Sequence, residues 1–308
     1  MVQELFSLFA VFIAMFLFGM MIMRTGLENL SKNKLEKWLA SLTATPLLAL
    51  LTGTVVTAIL QSSSAVTVMT VGLVAARYIS FYQSIGIILG ANIGTCITLE
   101  IIAFKIEAII IPLFILSLLL LIIPKRISFC LGIISFGLAC IFTAMQGLER
   151  LAEPLTSFSL SDSFFNMANE STFIGIIAGM MISLIIQSST ATTAIAMGFV
   201  SEGSLSLTAS IAIMLGSNIG TCFTAYLAAI GTRKETKLVA YAHIWLNVIG
   251  VTLIFPFITN LAQLSAMLAE SAALQVAHAS LIFNVVTSLL MLPFVKPFSR
   301  FIMYIHDR

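Results

Sequence analysis

Gln61-Ser62-Ser63-Ser64 is a run of four polar side chains inside an otherwise apolar segment, and a second copy stands at Gln187-Ser188-Ser189-Thr190. A shift of 126 residues (187 less 61) superposes the two, and it also aligns residues 53–98 with 179–224 without a gap. Under it Ala65 meets Ala191, Thr67 meets Thr193, Gly72 meets Gly198 and Gly90 meets Gly216. A second polar stretch recurs with the first: Asn92-Ile93-Gly94-Thr95-Cys96 is identical to Asn218-Ile219-Gly220-Thr221-Cys222. The chain is an internal duplication built around polar interruptions of apolar sequence.

Of its 308 residues, 59% are hydrophobic and 9% charged, with a mean hydropathy of +1.10. Soluble domains carry about a quarter charged residues, so the composition implies an all-α membrane protein, a single transmembrane domain over 1–308 in contact with lipid throughout. A formal charge of +2 gives no reason to expect a nucleic-acid partner. The first 23 residues lack a basic leader and a small-residue cleavage site, and Leu5 to Met23 reads as a retained membrane helix. Cys96, Cys130, Cys140 and Cys222 all fall in apolar runs and read as free thiols, and no Cys/His cluster has metal-ligand spacing.

Spans of about 20 residues are needed to cross roughly 30 Å of hydrocarbon. Leu5–Met23 is the first, and Arg24, Lys32, Lys34 and Lys37 after it mark a cytoplasmic loop by the positive-inside rule. Thr45–Ala76 is too long for one crossing and carries the first motif at its centre, which predicts a re-entrant hairpin of two half-length helices. Phe81–Phe104, Ile106–Ile123 and Ile127–Met145 then cross in turn, with Lys125-Arg126 inside and the acid-rich loop Gln146–Ser171 outside. A second hairpin over Thr172–Val200 enters from the outer face. Leu205–Ile230 leads to Arg233, Lys234 and Lys237 inside, Leu238–Ile258 goes out, and Val276–Val295 returns to a basic tail.

This parity puts every basic cluster on one side, with the N-terminus outside and the C-terminus inside a plasma (cytoplasmic) membrane. An odd number of crossings separates the hairpins, so the halves are inverted repeats over 1–123 and 127–258, each with a re-entrant hairpin and a broken helix. One C-terminal helix and cytoplasmic tail, 276–308, follow. A homodimer is compatible with this plan.

Non-helical backbone survives at membrane depth only where protein or a water-filled cavity satisfies it. Inverted repeats with discontinuous helices are the construction of secondary transporters, whose substrates bind at the midplane where the repeats meet. The residues at the breaks are Ser, Thr, Gln and Asn, with no charged side chain among them. Hydroxyls, backbone N–H groups and helix N-termini suit an oxyanion, and amide and hydroxyl oxygens suit a small hard cation. Small hydroxylated residues also serve simple helix contacts in membranes, but that accounts poorly for two matched pairs of motifs.

The paired motif resembles that of the type II sodium-dependent inorganic phosphate cotransporters and their bacterial relatives, which carry two Gln-Ser-Ser-Ser motifs in inverted repeats. Gln61 to Ser64 matches fully, while Thr190 replaces the last serine of the second copy and keeps its hydroxyl. The resemblance implies that Gln61, Ser62, Ser63, Ser64, Gln187, Ser188, Ser189 and Thr190 bind phosphate, with sodium as the co-transported ion and no organic cofactor. From the residues themselves, Asn92, Thr95, Asn218 and Thr221 are added as ion ligands, and sodium is expected at Gln61, Ser64, Asn92, Gln187, Thr190 and Asn218. Carrying a dianion into an inside-negative cell costs about 4.6 kcal/mol at about 100 mV. Two sodium ions cancel that charge.

Glu100 is an intramembrane acid and so a functional candidate, whereas His243, Asn247, His278 and Asn284 read as helix-helix contacts and Lys105 with Glu107 as an interfacial pair. A sodium-coupled carrier of dicarboxylates or amino acids would share the architecture. An intramembrane serine hydrolase using Ser63 or Ser189 with His243 or His278 lacks the Gly-x-Ser-x-Gly turn and gives no reason for an inverted copy.

Overall fold

A computed structural model describes residues 2–31, 34–104, 107–156 and 159–306, and the described chain is helical with no strand. Six of its helical segments are long and apolar enough to cross a membrane, spanning Gln3–Ser31, Phe81–Ala103, Arg126–Ala152, Leu207–Ala229, Lys234–Ala266 and Ala272–His306. The chain is an integral membrane protein.

Helix α1 (Val2–Ser31) runs on past Met23, where the hydropathy reading ended it, so Arg24 to Ser31 is helix rather than loop. Packing explains the extension. The α1 backbone at Gly26 presses against the carbonyl of Cys130 on α7 (Arg126–Thr156), and higher up Gly19 and Gly137 face each other's carbonyls. Short α2 (Lys34–Ser41) follows and buries Leu35 and Leu39.

Next come two half-length helices, α3 (Pro46–Leu60) and α4 (Ser63–Ala75). At 15 and 13 residues they measure about 22 and 20 Å, too short to span hydrocarbon of about 30 Å. The same pair recurs 126 residues on as α9 (Thr172–Ile186) and α10 (Ser189–Ser201). The caps recur with it. Thr45 and Ser171 cap the first members, Ser62 and Ser188 the second, and Gln61 and Gln187 bend the chain between them.

In each pair, residues before the first half-helix meet residues after the second. Gln83 donates its amide N–H to the Thr43 carbonyl at 3.1 Å, joining the residues before α3 to those after α4. At the repeat position of Thr43, Asn169 donates to the Ser204 carbonyl at 3.1 Å and accepts from the Ser206 N–H at 2.8 Å.

The long helices α5 (Phe81–Ala103) and α11 (Leu207–Ala229) correct the reading of Asn92–Thr95 and Asn218–Thr221 as breaks: both helices are continuous. Their glycines are there for close approach. A side chain at Gly90 would collide with the Leu50 carbonyl of α3, and one at Gly216 with the equivalent Ile176 carbonyl of α9. Thr95 Oγ1 returns its proton to the Ala91 carbonyl at 3.0 Å, within the same helix.

The last helix is not a lone addition. Asn284 of α14 (Ala272–Met291) donates to Cys96 Sγ of α5 at 3.3 Å and to the Ser280 carbonyl at 2.9 Å. Asn247 of α12 (Lys234–Ile254) donates to Cys222 Sγ of α11 at 3.3 Å and to the His243 carbonyl at 3.0 Å. Helices α12 and α14 therefore clasp the two long helices in the same way, and all four cysteines are buried free thiols.

The expected loop over Gln146–Ser171 is also helical where described: α7 runs to Thr156, and α8 (Ser159–Glu170) follows. Apolar α6 (Ile110–Ile122), at 13 residues, is shorter than the crossing expected over Ile106–Ile123 and packs on α7; α13 (Ile258–Ala266) continues from α12 through a 3-10 turn, and α15 (Val295–His306) turns the expected tail into an amphipathic helix. Its Val295, Phe298 and Ile302 are buried in a core shared with α3, α4, α5 and α12, while α1, α7, α10, α11 and α14 build a second core. Lys105 lies outside the described residues.

Candidate functional site

Why the chain bends at the motifs follows from their local chemistry. Gln61 and Gln187 adopt left-handed backbone, at φ 54° and 56°, and each ends a half-helix. The serine that follows restarts the helix in a new direction: Ser62 Oγ accepts from the Ala65 N–H at 3.1 Å, and Ser188 Oγ from the Ala191 N–H at 3.2 Å. These are N-caps. The N-termini of α4 and α10 thus begin at Ser63 and Ser189, where uncommitted N–H groups and the helix dipole favour an anion.

Each second half-helix packs against the other repeat, α4 on α11 and α12, α10 on α5. The crossing opens a cavity of about 1220 Å³ lined by Ser62 and Ser64 from the first motif, Gln187 from the second and Thr224 of α11. Gln61 is buried beside it. Ser63 and Ser188 are half-buried, and Ser189 and Thr190 are buried within α10. The wall continues to a charged rim of Glu28, Lys34, Lys37 and Arg126.

The cavity also contains a cation that the reading from sequence missed. Arg24 Nε donates to the Gln61 backbone carbonyl at 3.0 Å, so a guanidinium from α1 grips the first bend. The description of the site as free of charged groups is corrected accordingly. The signal was present in the helical register: Arg24 lies two residues before Gly26, whose contact with α7 keeps α1 helical.

The four expected ion ligands beyond the motifs have other partners. Asn92 donates to Asn247 Oδ1 at 3.4 Å and borders a separate, mostly apolar pocket between α12 and α14. Asn218 Nδ2 lies 3.9 Å from Met214 Sδ. Thr221 shares a hydrogen bond of 2.7 Å with Ser183, and the buried hydroxyl of Thr57, the repeat partner of Ser183, has no partner among the described residues. Glu100 pairs with His278 Nδ1 at 2.8 Å, joining α5 to α14. Among the described residues, no group of three or more His, Cys, Asp or Glu side chains could hold a metal ion.

The profile of the Na+/Pi-cotransporter family matches residues 15–150 and 157–289, so each matched segment contains one copy of the motif. The chain belongs to this family. It is a family of transporters, not enzymes, which removes the hydrolase alternative. Among its relatives, the uncharacterized protein YqeW of Bacillus subtilis is 40% identical over 294 residues, covering 96% of each chain. YjbB of Escherichia coli K12, provisionally named for inorganic phosphate export, is 26% identical over 291 residues. That match takes in 94% of this chain but only 53% of YjbB. The human sodium-dependent phosphate transport protein 2B is 26% identical over 132 residues, 40% of this chain and 19% of its own length. No solved structure matches.

Proposed function

We propose that the chain is a sodium-coupled carrier of inorganic phosphate, built from two inverted repeats whose re-entrant hairpins meet at the substrate. The observation that carries this reading is the cavity reached by both motifs, through Ser62 and Ser64 on one side and Gln187 on the other. Phosphate is assigned to the two bends, Gln61 to Ser64 and Gln187 to Thr190, where hydroxyls and helix N-termini present donors. Sodium is assigned to the amide and hydroxyl oxygens of Gln61, Ser64, Gln187 and Thr190. Asn92 and Thr221 bond to neighbouring helices, Thr95 and Asn218 bond within their own, and no ion is assigned to the four.

The re-entrant reading is supported by the ties from Gln83 to Thr43 and from Asn169 to the loop after α10. It is supported further by Arg77, just after α4, which shares a pocket with Arg233 before α12, as cytoplasmic placement of both requires. By the same rule the rim with Lys34, Lys37 and Arg126 faces the cytoplasm, so this conformation is open inward, with the N-terminus outside and the C-terminus inside. Two sodium ions travelling with a dianion remove the electrical cost of moving it; flux in either direction then follows the gradients.

The purified chain in proteoliposomes is expected to take up radiolabelled phosphate when sodium is imposed outside and to fail with potassium in its place. Equal phosphate uptake in both salts would remove the sodium coupling, and uptake in neither would remove the reading altogether.

A further inference from the structure

We infer that Arg24 is the substrate-selecting cation of the cavity, a fixed positive charge that favours the phosphate dianion over the monoanion. The inference rests on the phosphate reading above and deepens it by naming the residue that selects the charge form of the substrate. Three observations carry it. The guanidinium is partly buried and held in place, its Nε–H committed to the Gln61 carbonyl at 3.0 Å. Among the described residues, no hydrogen bond is made to its two Nη groups, and Glu28, one turn along α1 on the same cavity wall, attracts the guanidinium without an ion-pair contact. Arg24 lines the same cavity as Ser62 and Ser64.

A guanidinium so anchored offers paired donors in a rigid fork that fits two oxygens of a tetrahedral oxyanion. Lys34, Lys37 and Arg126 differ, because they are exposed at the rim, where salt screens them.

The second repeat has no counterpart. Aligning Gly26-Leu27-Glu28 with Gly147-Leu148-Glu149 puts Met145 opposite Arg24, and no side chain among the described residues donates to the Gln187 carbonyl. The duplication therefore supplies two neutral bends and one cation. A single cation gives a dianion an attraction that it gives a monoanion only in part, and it leaves the remaining charge to be balanced by sodium.

Arginine does not deprotonate across the physiological range, so the pH dependence it confers comes from the substrate. As pH rises through the second ionisation of phosphate, the dianion fraction rises, and the half-saturating concentration of total phosphate falls in the wild type. In Arg24→Gln this fall is expected to flatten, with half-saturation on the alkaline side raised about tenfold or more, the worth of a hydrogen bond to a charged group. On the acid side the change is smaller. Arg126→Gln, at the exposed rim, keeps the wild-type profile.

The test is sodium-driven phosphate uptake by the full chain in proteoliposomes, measured as half-saturation and maximal rate at several pH values for wild type, Arg24→Gln, Arg24→Lys and Arg126→Gln. Wild-type half-saturation and pH profile in Arg24→Gln overturn the inference while leaving the transport reading intact. A fall in maximal rate alone, at unchanged half-saturation, also overturns it, since Arg24 then only braces Gln61. Should Arg24→Gln fail to assemble, Arg24→Lys decides: the charge remains, so dianion preference is expected to persist, and its loss contradicts the inference. A wild type that moves no phosphate removes both.

Discussion

Gln61 and Gln187 make the same left-handed bend in the two repeats, yet the Gln61 side chain is buried and turned back on the Ala58 carbonyl while Gln187 is exposed to the cavity. Two copies of one sequence thus present different groups to the same space, one through the cation that grips its backbone and the other through its own amide. The repeats are matched in fold and unequal in chemistry.

That bend gives a way to separate backbone from side chain. Left-handed backbone costs an ordinary residue about 1–2 kcal/mol and glycine almost nothing. Gln187→Gly is expected to unfold in detergent at or above the wild-type temperature and Gln187→Ala below Gln187→Gly, while both lose most phosphate transport. An active Gln187→Gly would take the Gln187 amide out of the site.

The glycines of the long helices are expected to be structural. Gly90→Ala places a methyl group on the Leu50 carbonyl and should cost about 1–3 kcal/mol through overpacking. Gly72→Ala, with nothing within 4 Å of the new carbon, should be neutral or stabilising. Thermal unfolding of the two variants in detergent measures the difference, and equal melting temperatures would contradict the packing account.

Within the first motif, the serines divide into a cap and a cavity residue. Ser62→Ala removes the α4 cap and is expected to destabilise the protein by about 1 kcal/mol. Ser64→Ala leaves the cap in place and should instead raise half-saturation for phosphate or sodium several-fold, with little effect on unfolding. Transport kinetics and melting curves on both variants check the division.

Glu100 and His278 tie α5 to α14 through a bond of 2.8 Å. Removing either partner, in Glu100→Gln or His278→Ala, should destabilise by about 1 kcal/mol, and the double variant by less than the sum of the two. A double-mutant cycle of unfolding free energies measures this coupling. Strict additivity would mean that the pair contributes nothing.

Much of this plan could be read in the residues because the 126-residue shift preserves the groups that set backbone direction. Thr45 and Ser171, Ser62 and Ser188, and Ser80 and Ser206 are all caps, and each pair obeys the shift. The Asn-Ile-Gly-Thr stretches were misleading because a glycine among polar residues looks like a helix break when its neighbour on the next helix is unknown. Arg24 was missed for a related reason. A hydropathy window ends at the first charge, whereas a helix continues as long as packing such as that at Gly26 supports it. The kinship of α12 and α14 is faint in sequence, resting on Asn247 with Asn284 and Pro256-Phe257 with Pro293-Phe294 at a spacing unrelated to the main repeat. Their equal clasps on Cys222 and Cys96 make it plain.

The central claim is that the two bends line one water-filled space, open to the cytoplasm, in which phosphate and sodium meet. Since the four native cysteines are buried, single Ser64→Cys and Gln187→Cys variants can be probed in oriented membranes with an impermeant thiol reagent. Both are predicted to react from the cytoplasmic side and to be protected by phosphate and sodium together more than by either alone. Reaction of one variant only, or labelling that phosphate and sodium leave unchanged, would contradict the account.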